Sequence, residues 1–393
     1  MHAWNRHEPH NGNLPGVDGP KTTVALDADA LRARFAAGRP LTFGLEEELM
    51  VLDPETLDLA PRAAVLLERV PEDLRVKLEL PASQLEIFTP ARARIDELAE
   101  DLTSARRQLA SSLAGAALLA AAGAHPFASM EGTLNVADRY ERLEREYGSV
   151  ARRQLVCGLH VHVAIGGPDC ALAVYNAMRS HLPELAALAG NAPFYGGKDS
   201  GMASIRPLIS AQLPRQGVPP AYASWEQLAD DLGWGAAAGR LDGFFGWWWE
   251  MRLHPLFGTL EVRVPDAQTR LEDALAIVGA TAGLVLWLCA RYDAGELPPP
   301  DAGWRIAENR WSAARRGARG QMADLHSGVL HETAELLVQR LDEIGPYADR
   351  VGAAGALEAA RRLVERSGAE RQRAAAAESG LFGLVARLAD QFV

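Results

Sequence analysis

Six short segments of this chain share one pattern, and it restricts the fold more than any other feature. In an extended strand successive side chains point to alternate faces. From Leu41 to Leu52 one face carries Leu41, Phe43, Leu45, Leu49 and Val51, broken only by Glu47. The other carries Thr42, Gly44, Glu46, Glu48 and Met50. From Leu159 to Ile165, four aliphatic residues oppose His160 and His162. Trp249, Met251 and Leu253 oppose Glu250, Arg252 and His254, and Leu260, Val262 and Val264 oppose Glu261 and Arg263. The runs Leu74 to Leu80 and Gln84 to Phe88 set Glu79 and Glu86 against apolar partners. One dry face and one polar face mark an antiparallel sheet packed on one side. A polar face can simply meet water. Solvated strand faces favour Thr, Lys, Gln and Ser, however, whereas these select Glu, His and Arg.

Long Ala/Leu/Arg/Glu segments at about 94–122, 135–153, 169–189, 270–292, 303–317, 331–346 and 354–391 predict helices. They are expected to cover the dry face, giving an α+β layer fold. The break at Ala294 to Gly303 precedes a C-terminal part that reads as helix throughout, from about 303. Residues 1–20, rich in His, Asn, Gly and Pro, read as a flexible tail in which His2, His7 and His10 are solvated. Residues 21–393 are then one catalytic domain. The apolar run Ala274 to Ala290, 17 residues long, falls short of the roughly 20 that span a bilayer and is read as a buried core helix. No secretory leader is visible.

Forty Lys and Arg against 51 Asp and Glu leave a net charge of −11. Such a chain is a poor partner for nucleic acid or anionic membrane. Three cysteines, Cys157, Cys170 and Cys289, without a C-x-x-C pair, exclude a disulfide framework and fit a reducing cytoplasm. Cys157 falls on the apolar strand face and is read as core.

If the strands share a sheet, Glu46, Glu48, Glu79, Glu86, Glu250 and Glu261 converge. Crowded carboxylates raise one another's pKa and need compensating cations. Arg252 and Arg263 cannot balance six, and oxygen-rich sites suit Mg²⁺ or Mn²⁺. Such ions bridge carboxylate and phosphate oxygens in enzymes that handle polyphosphate. The pair His160 and His162 on one strand face offers a second chemistry, a zinc site completed by His254 or a Glu. No P-loop, dinucleotide-binding glycine motif or G-x-S-x-G elbow is present. The Gly-rich stretch Asn191 to Arg206 reads equally as a surface loop or as a lid, and Arg206 as a clamp for carboxylate or phosphate. Trp247, Trp248 and Trp249 are read as core and sheet-edge cover, with Trp249 the core member.

Four stretches together carry a resemblance. They are Phe43 to Glu48 (FGLEEE), Leu80 to Pro90 (LPASQLEIFTP), Gly158 to Val163 (GLHVHV) and His254 to Asp266 (HPLFGTLEVRVPD). Asn191 to Pro193, Asp199 to Gly201 and Ser204 with Arg206 join them in order. The chain resembles the glutamate–cysteine ligase type 2 family, the carboxylate–amine ligases, from about Leu41 to its end. The resemblance implies a fold like that of glutamine synthetase and the guanido kinases: a curved antiparallel sheet whose charged concave face binds ATP, metal and the acid substrate. It implies ATP-dependent joining of the γ-carboxylate of glutamate to an amine, cysteine in the best-known cases, through an acyl phosphate. It implies metal roles for Glu46, Glu48, Glu79, Glu86, His160 and Glu261, and a phosphate-stabilising catalytic role for Arg263. Arg206 is grouped with Arg263 as catalytic, and Arg252 and His254 are assigned to cofactor binding. The expected cofactors are Mg²⁺ (or Mn²⁺) with ATP as co-substrate. The expected partners are small molecules, with no nucleic acid and no membrane, and the reading is compatible with a homo-oligomer. The alternatives are a guanido kinase-like phosphotransferase and a zinc-dependent hydrolase using His160 and His162.

Overall fold

The computed structural model describes residues 27–36, 41–239 and 246–393. The N-terminal segment read as a tail lies outside them. Eleven strands follow in chain order: β1 (Phe43–Leu52), β2 (Val76–Leu78), β3 (Gln84–Phe88), β4 (Leu118–Ala120), β5 (Leu159–Ala164), β6 (Phe194–Tyr195), β7 (Lys198–Asp199), β8 (Met251–His254), β9 (Thr259–Val262), β10 (Gln321–Ala323) and β11 (Leu330–Glu332). Seven form the main sheet, in the order β2-β3-β1-β5-β9-β8, with β4 also paired to β1. Every pairing is antiparallel. This is the α+β architecture that the alternation implied.

The dry face is complete. Leu45, Leu49, Leu85, Ile87, Leu159, Val161, Val163, Leu260 and Val262 are all buried, and each such side chain contributes about 1.5–3 kcal/mol relative to exposure. Helices Ile95–Leu113, Pro168–Met178 and Leu271–Asp293 belong to the same core. The last is apolar all round because it is the central helix. By length and composition it could cross a membrane, yet 72% of its most apolar window is buried inside the protein. Gly279 lets a neighbour approach closely, since a Cβ there would lie 2.6 Å from that of Ala356 in helix Ala354–Glu365.

Some boundaries differ from expectation. The segment at 94–122 ends its helix at Leu113 and turns into β4. The C-terminal part is not wholly helical: β10 and β11 form a hairpin. Helix Trp225–Ala237, capped by Ser224, was not anticipated. Its buried face rests on the side chains of only Trp225, Leu228 and Leu232 over 13 residues.

Glu47, the one break in the apolar strand face, is 0% exposed. Arg106 of helix Ile95–Leu113 meets it with two hydrogen bonds, Nε to Oε2 at 2.9 Å and Nη2 to Oε1 at 2.5 Å. Arg106 also donates to the carbonyls of Gln268, Thr269 and Phe392. Removing one partner of such a pair strands a buried charge. Arg106→Ala should therefore cost about 3–5 kcal/mol in urea unfolding, with a double Arg106→Leu/Glu47→Leu change recovering much of it. A single-variant loss under about 1 kcal/mol would show the pair to be energetically idle.

Candidate active site

The register of the sheet lines the ionisable residues up in rows. Lys77 pairs with Glu86, and Glu86 with Glu48. Glu46 lies opposite His160, and Gly44 opposite His162. His162 lies opposite Glu261, and Glu261 opposite Arg252. Because the side-chain period is two, all of these project from the face opposite the apolar core. Glu46, Glu86, His160, His162 and Glu261 are buried.

Two groups of donors come close enough to share a cation. Ligand atoms of Glu46, His162 and Glu261 lie within 4.8 Å of one another, as do those of Glu48, Glu79 and Glu86. Thr259 fixes the His162 ring by a 3.0 Å contact to Nδ1, leaving Nε2 3.9 Å from Glu46 and 4.0 Å from Glu261. Such orienting contacts are typical behind ligating imidazoles. His160 sits between the groups, 3.5 Å from Glu46 and 3.9 Å from Glu48. Its buried Nε2 has no hydrogen-bond partner among the described residues. An orphaned imidazole nitrogen beside clustered carboxylates fits a divalent cation. The all-oxygen group suits Mg²⁺ or Mn²⁺. The resemblance implied a metal role for His160 and not for His162; the structure gathers His162 with Glu46 and Glu261. Among the described residues each of the two groups holds one His at most.

The electrostatics show how strained this face is. Burial, with Glu79 adding to it, pushes the Glu48 carboxyl up to about 7. Burial and the neighbouring Glu46 push Glu86 well above the carboxylate range. Burial acts the same way on Glu46, but Lys77 and the two imidazoles outweigh it and hold its carboxyl well below that range. Burial likewise opposes ionisation of Glu261, where Arg252 and Arg263 prevail and keep it low. His160 is driven down to about 3 by burial and by Arg263, so its ring is neutral near pH 7, the form that ligates metal.

Arg263 donates from Nη1 to Glu261 at 2.5 Å and lies 3.4 Å from His160 Nδ1. Arg252 pairs with Glu261 through Nε and Nη2. His254 is buried, stacked on Phe257 at 4.1 Å and set edge-on to His162 at 5.5 Å. Arg206 donates to the carbonyls of Arg263 and Val264 at 3.1 and 3.2 Å. Gly158 leaves room beside it: a Cβ there would lie 2.2 Å from Arg206 Nη2 and force the guanidinium to move, and the Gly158 N–H donates to Glu48 at 2.5 Å.

Three expectations need correction. Glu250 does not join the carboxylates; Arg310 of helix Gly303–Arg316 takes it at 2.7 Å. The loop from Asn191 to Arg206 is tied down rather than free. Asp199 is paired with Arg373, Ser204 donates to Asp266, and Asn191 accepts from Gln372. Trp247, not Trp249, is the buried indole, stacked on Tyr222, while Trp248 lies under Arg215. Sequence reasoning also missed Lys77. The same parity that placed Glu79 on the polar face places Lys77 there, and that signal was available.

A family model described as glutamate–cysteine ligase family 2 matches residues 42–380. A relative from Rubrobacter xylanophilus, named "Putative glutamate--cysteine ligase 2-3", is 37% identical over 363 residues, covering 89% of this chain and 96% of its own. One from Paracoccus denitrificans, named "Putative glutamate--cysteine ligase 2", is 33% identical over 347 residues, covering 85% and 90%. Among solved structures, the fold is similar to that of glutamate–cysteine ligase from Francisella tularensis in complex with AMP. The TM-score is 0.65 at 13% identity, over 91% of this chain and 90% of that one. With four motif-bearing strands in one sheet and a family match over most of its length, the chain belongs to glutamate–cysteine ligase family 2 and is a ligase of the carboxylate–amine class.

Proposed function

We propose that this ligase uses ATP to join the γ-carboxylate of glutamate to an amine, cysteine foremost. The carboxylate attacks the γ-phosphorus of ATP, giving an acyl phosphate and ADP. The amine then attacks the acyl carbon, expelling phosphate and losing a proton. The observation that carries this reading is the convergence of Glu46, Glu48, Glu79, Glu86, Glu261, His160 and His162 on one sheet face beside Arg263 and Arg252. Phosphoryl transfer needs positioning and charge neutralisation more than covalent help. The AMP bound by the Francisella ligase of similar fold supports a nucleotide here.

Glu48, Glu79 and Glu86 would hold one divalent cation and Glu46, His162 and Glu261 another, with His160 between them. Bound there, Mg²⁺ or Mn²⁺ would offset the negative charge of the carboxylates and of the transferring phosphoryl group. Arg263, within reach of both His160 and Glu261, would meet the transferring phosphoryl group with its planar fork. Arg206 holds the main chain of Arg263, so its part is to position that guanidinium. Arg252 and His254 line the far end of the row and would contribute to the nucleotide end of the site.

The deciding assay is ADP release with a panel of acids and amines, products identified by mass. ADP formation that needs both glutamate and an amine, with a γ-glutamyl amide as product, is expected. ADP without an amide would overturn the reading.

Two variants test its parts. Arg263→Lys keeps the charge but loses the fork, so kcat should fall about 100-fold while KM for ATP changes much less. Near-normal turnover would confine Arg263 to its ion pair with Glu261. Separately, saturating Mn²⁺ should raise the melting temperature, since a ligand at 100 times its Kd adds about 2.7 kcal/mol to stability. Glu86→Gln or Glu261→Gln should shrink that shift, and an equal shift in both variants would remove the carboxylates from cation binding.

A further inference from the structure

Lys77 is the cation on this face that neither motif nor function has used. It projects from β2, directly opposite Glu86 in the register. Its ammonium lies 2.7 Å from Glu86 Oε1, 3.6 Å from Glu46 Oε1 and 4.0 Å from Glu79 Oε1. Those three carboxylates belong to both donor groups: Glu46 sits with His162 and Glu261, and Glu79 and Glu86 sit with Glu48. One ammonium therefore spans the boundary between the two. Its side chain is 22% exposed, against 2% for Glu86, so it enters the cluster from the open edge of the sheet.

A lysine ammonium is a compact point charge on a flexible four-carbon stem. Among crowded carboxylates it meets the same electrostatic demand as a metal ion, with ion pairs in place of coordination. It also occupies Glu86 Oε1, an oxygen that a cation in the Glu48–Glu79–Glu86 group would need. The two cannot share that oxygen at close range without like-charge repulsion. The Phe88 ring, whose centroid lies 5.8 Å from the Lys77 ammonium, gives a neighbouring surface against which a displaced cation can rest.

We propose that Lys77 is a built-in counter-ion that competes with the divalent cation for Glu86 and Glu46 and so sets how tightly this face binds metal. This rests on the reading of the two carboxylate groups as cation sites. The role is distinct from an ordinary ion pair. A structural pair stabilises the protein whether or not metal is present. A competing counter-ion stabilises only the protein without metal, and its removal makes the metal bind better.

The test uses the full chain as wild type, Lys77→Met and Lys77→Arg, with Mn²⁺ as probe. Mn²⁺ affinity is measured by calorimetric titration, and melting is followed in EDTA and at saturating Mn²⁺. Lys77→Met should bind Mn²⁺ about tenfold more tightly or better, because a unit charge 2.7–4.0 Å from three of the carboxylates no longer opposes the ion. It should melt below wild type in EDTA and regain the difference in Mn²⁺. Lys77→Arg, which keeps the charge, should stay within about threefold of wild-type affinity. If Lys77→Met folds only with Mn²⁺, affinity is read by chelator competition, and tighter binding is still required. Equal or weaker binding by Lys77→Met, or a melting deficit that Mn²⁺ leaves unchanged, overturns the proposal. Failure of the wild type itself to bind Mn²⁺ would instead show that the cation-site reading is wrong, and the counter-ion role falls with it.

Discussion

The ion pair between Arg106 and Glu47 is the joint on which the rest of the molecule hangs. Both side chains are shut away from water, at 1% and 0% exposed. Desolvating two charges is costly, and such a pair is kept only where its hydrogen bonds are nearly all made. Here the guanidinium bonds the carboxylate twice and three backbone carbonyls besides, and covers the Phe392 ring at 4.8 Å. It thereby connects β1, helix Ile95–Leu113, the segment that follows β9 and the last turn of the chain. Glu47 lies between Glu46 and Glu48 in sequence. Pinning its side chain behind the sheet fixes the pleat that presents its two neighbours in front.

The front face works against folding. Glu48 and Glu86 are direct cross-strand partners, an arrangement that destabilises a sheet. What compensates comes in from both edges: Lys77 on the β2 side, and Arg252 and Arg263 on the side of β8 and β9. Five carboxylates, those of Glu46, Glu48, Glu79, Glu86 and Glu261, outnumber the three cations paired with them directly, and Arg206 adds weaker compensation at Glu48 and Arg139 at Glu79. Burial, with neighbouring carboxylates adding to it, raises the carboxyls of Glu48 and Glu86. The stability of the dry face, with its unbroken aliphatic rows, is what allows this surplus to be held in place. Fold and site are thus two sides of one sheet, one supplying the free energy that the other consumes.

That division explains what could be read from sequence. A period of two is insensitive to small errors in strand ends, so Glu79 joins Glu48 and Glu86 on the right face even though β2 is only Val76–Leu78. Parity misplaced Glu250. Glu250 precedes β8 and is captured by Arg310, a helix residue some 60 positions away, which no local pattern encodes. The choice between His160 and His162 depended on Thr259 and Glu261 across the register, again a long-range fact. Lys77 is legible by the same parity that places Glu79 on the polar face. The two-strand hairpin of β10 and β11 was hidden by helix-rich flanks.

The path from the loop to the site shows how long-range order is built from such contacts. Asp266 accepts from the Asn191 N–H at 2.8 Å and from Ser204 at 2.9 Å. Asn191 in turn bonds the Ala267 carbonyl, and Gln372 of helix Gly368–Asp390 bonds Asn191. Arg206 follows Ser204 by two residues and grips the carbonyls of Arg263 and Val264. Arg263 then reaches Glu261 and His160. Every member of this series is a hydrogen bond to a buried or half-buried partner, where an unmade bond costs more than a made one gains. A shift anywhere along it would have to break several bonds together. The guanidinium beside the carboxylates is therefore held by the loop and the C-terminal helix as well as by its own strand. The Gly-rich loop of this chain is thus tethered to the sheet rather than free to swing over it.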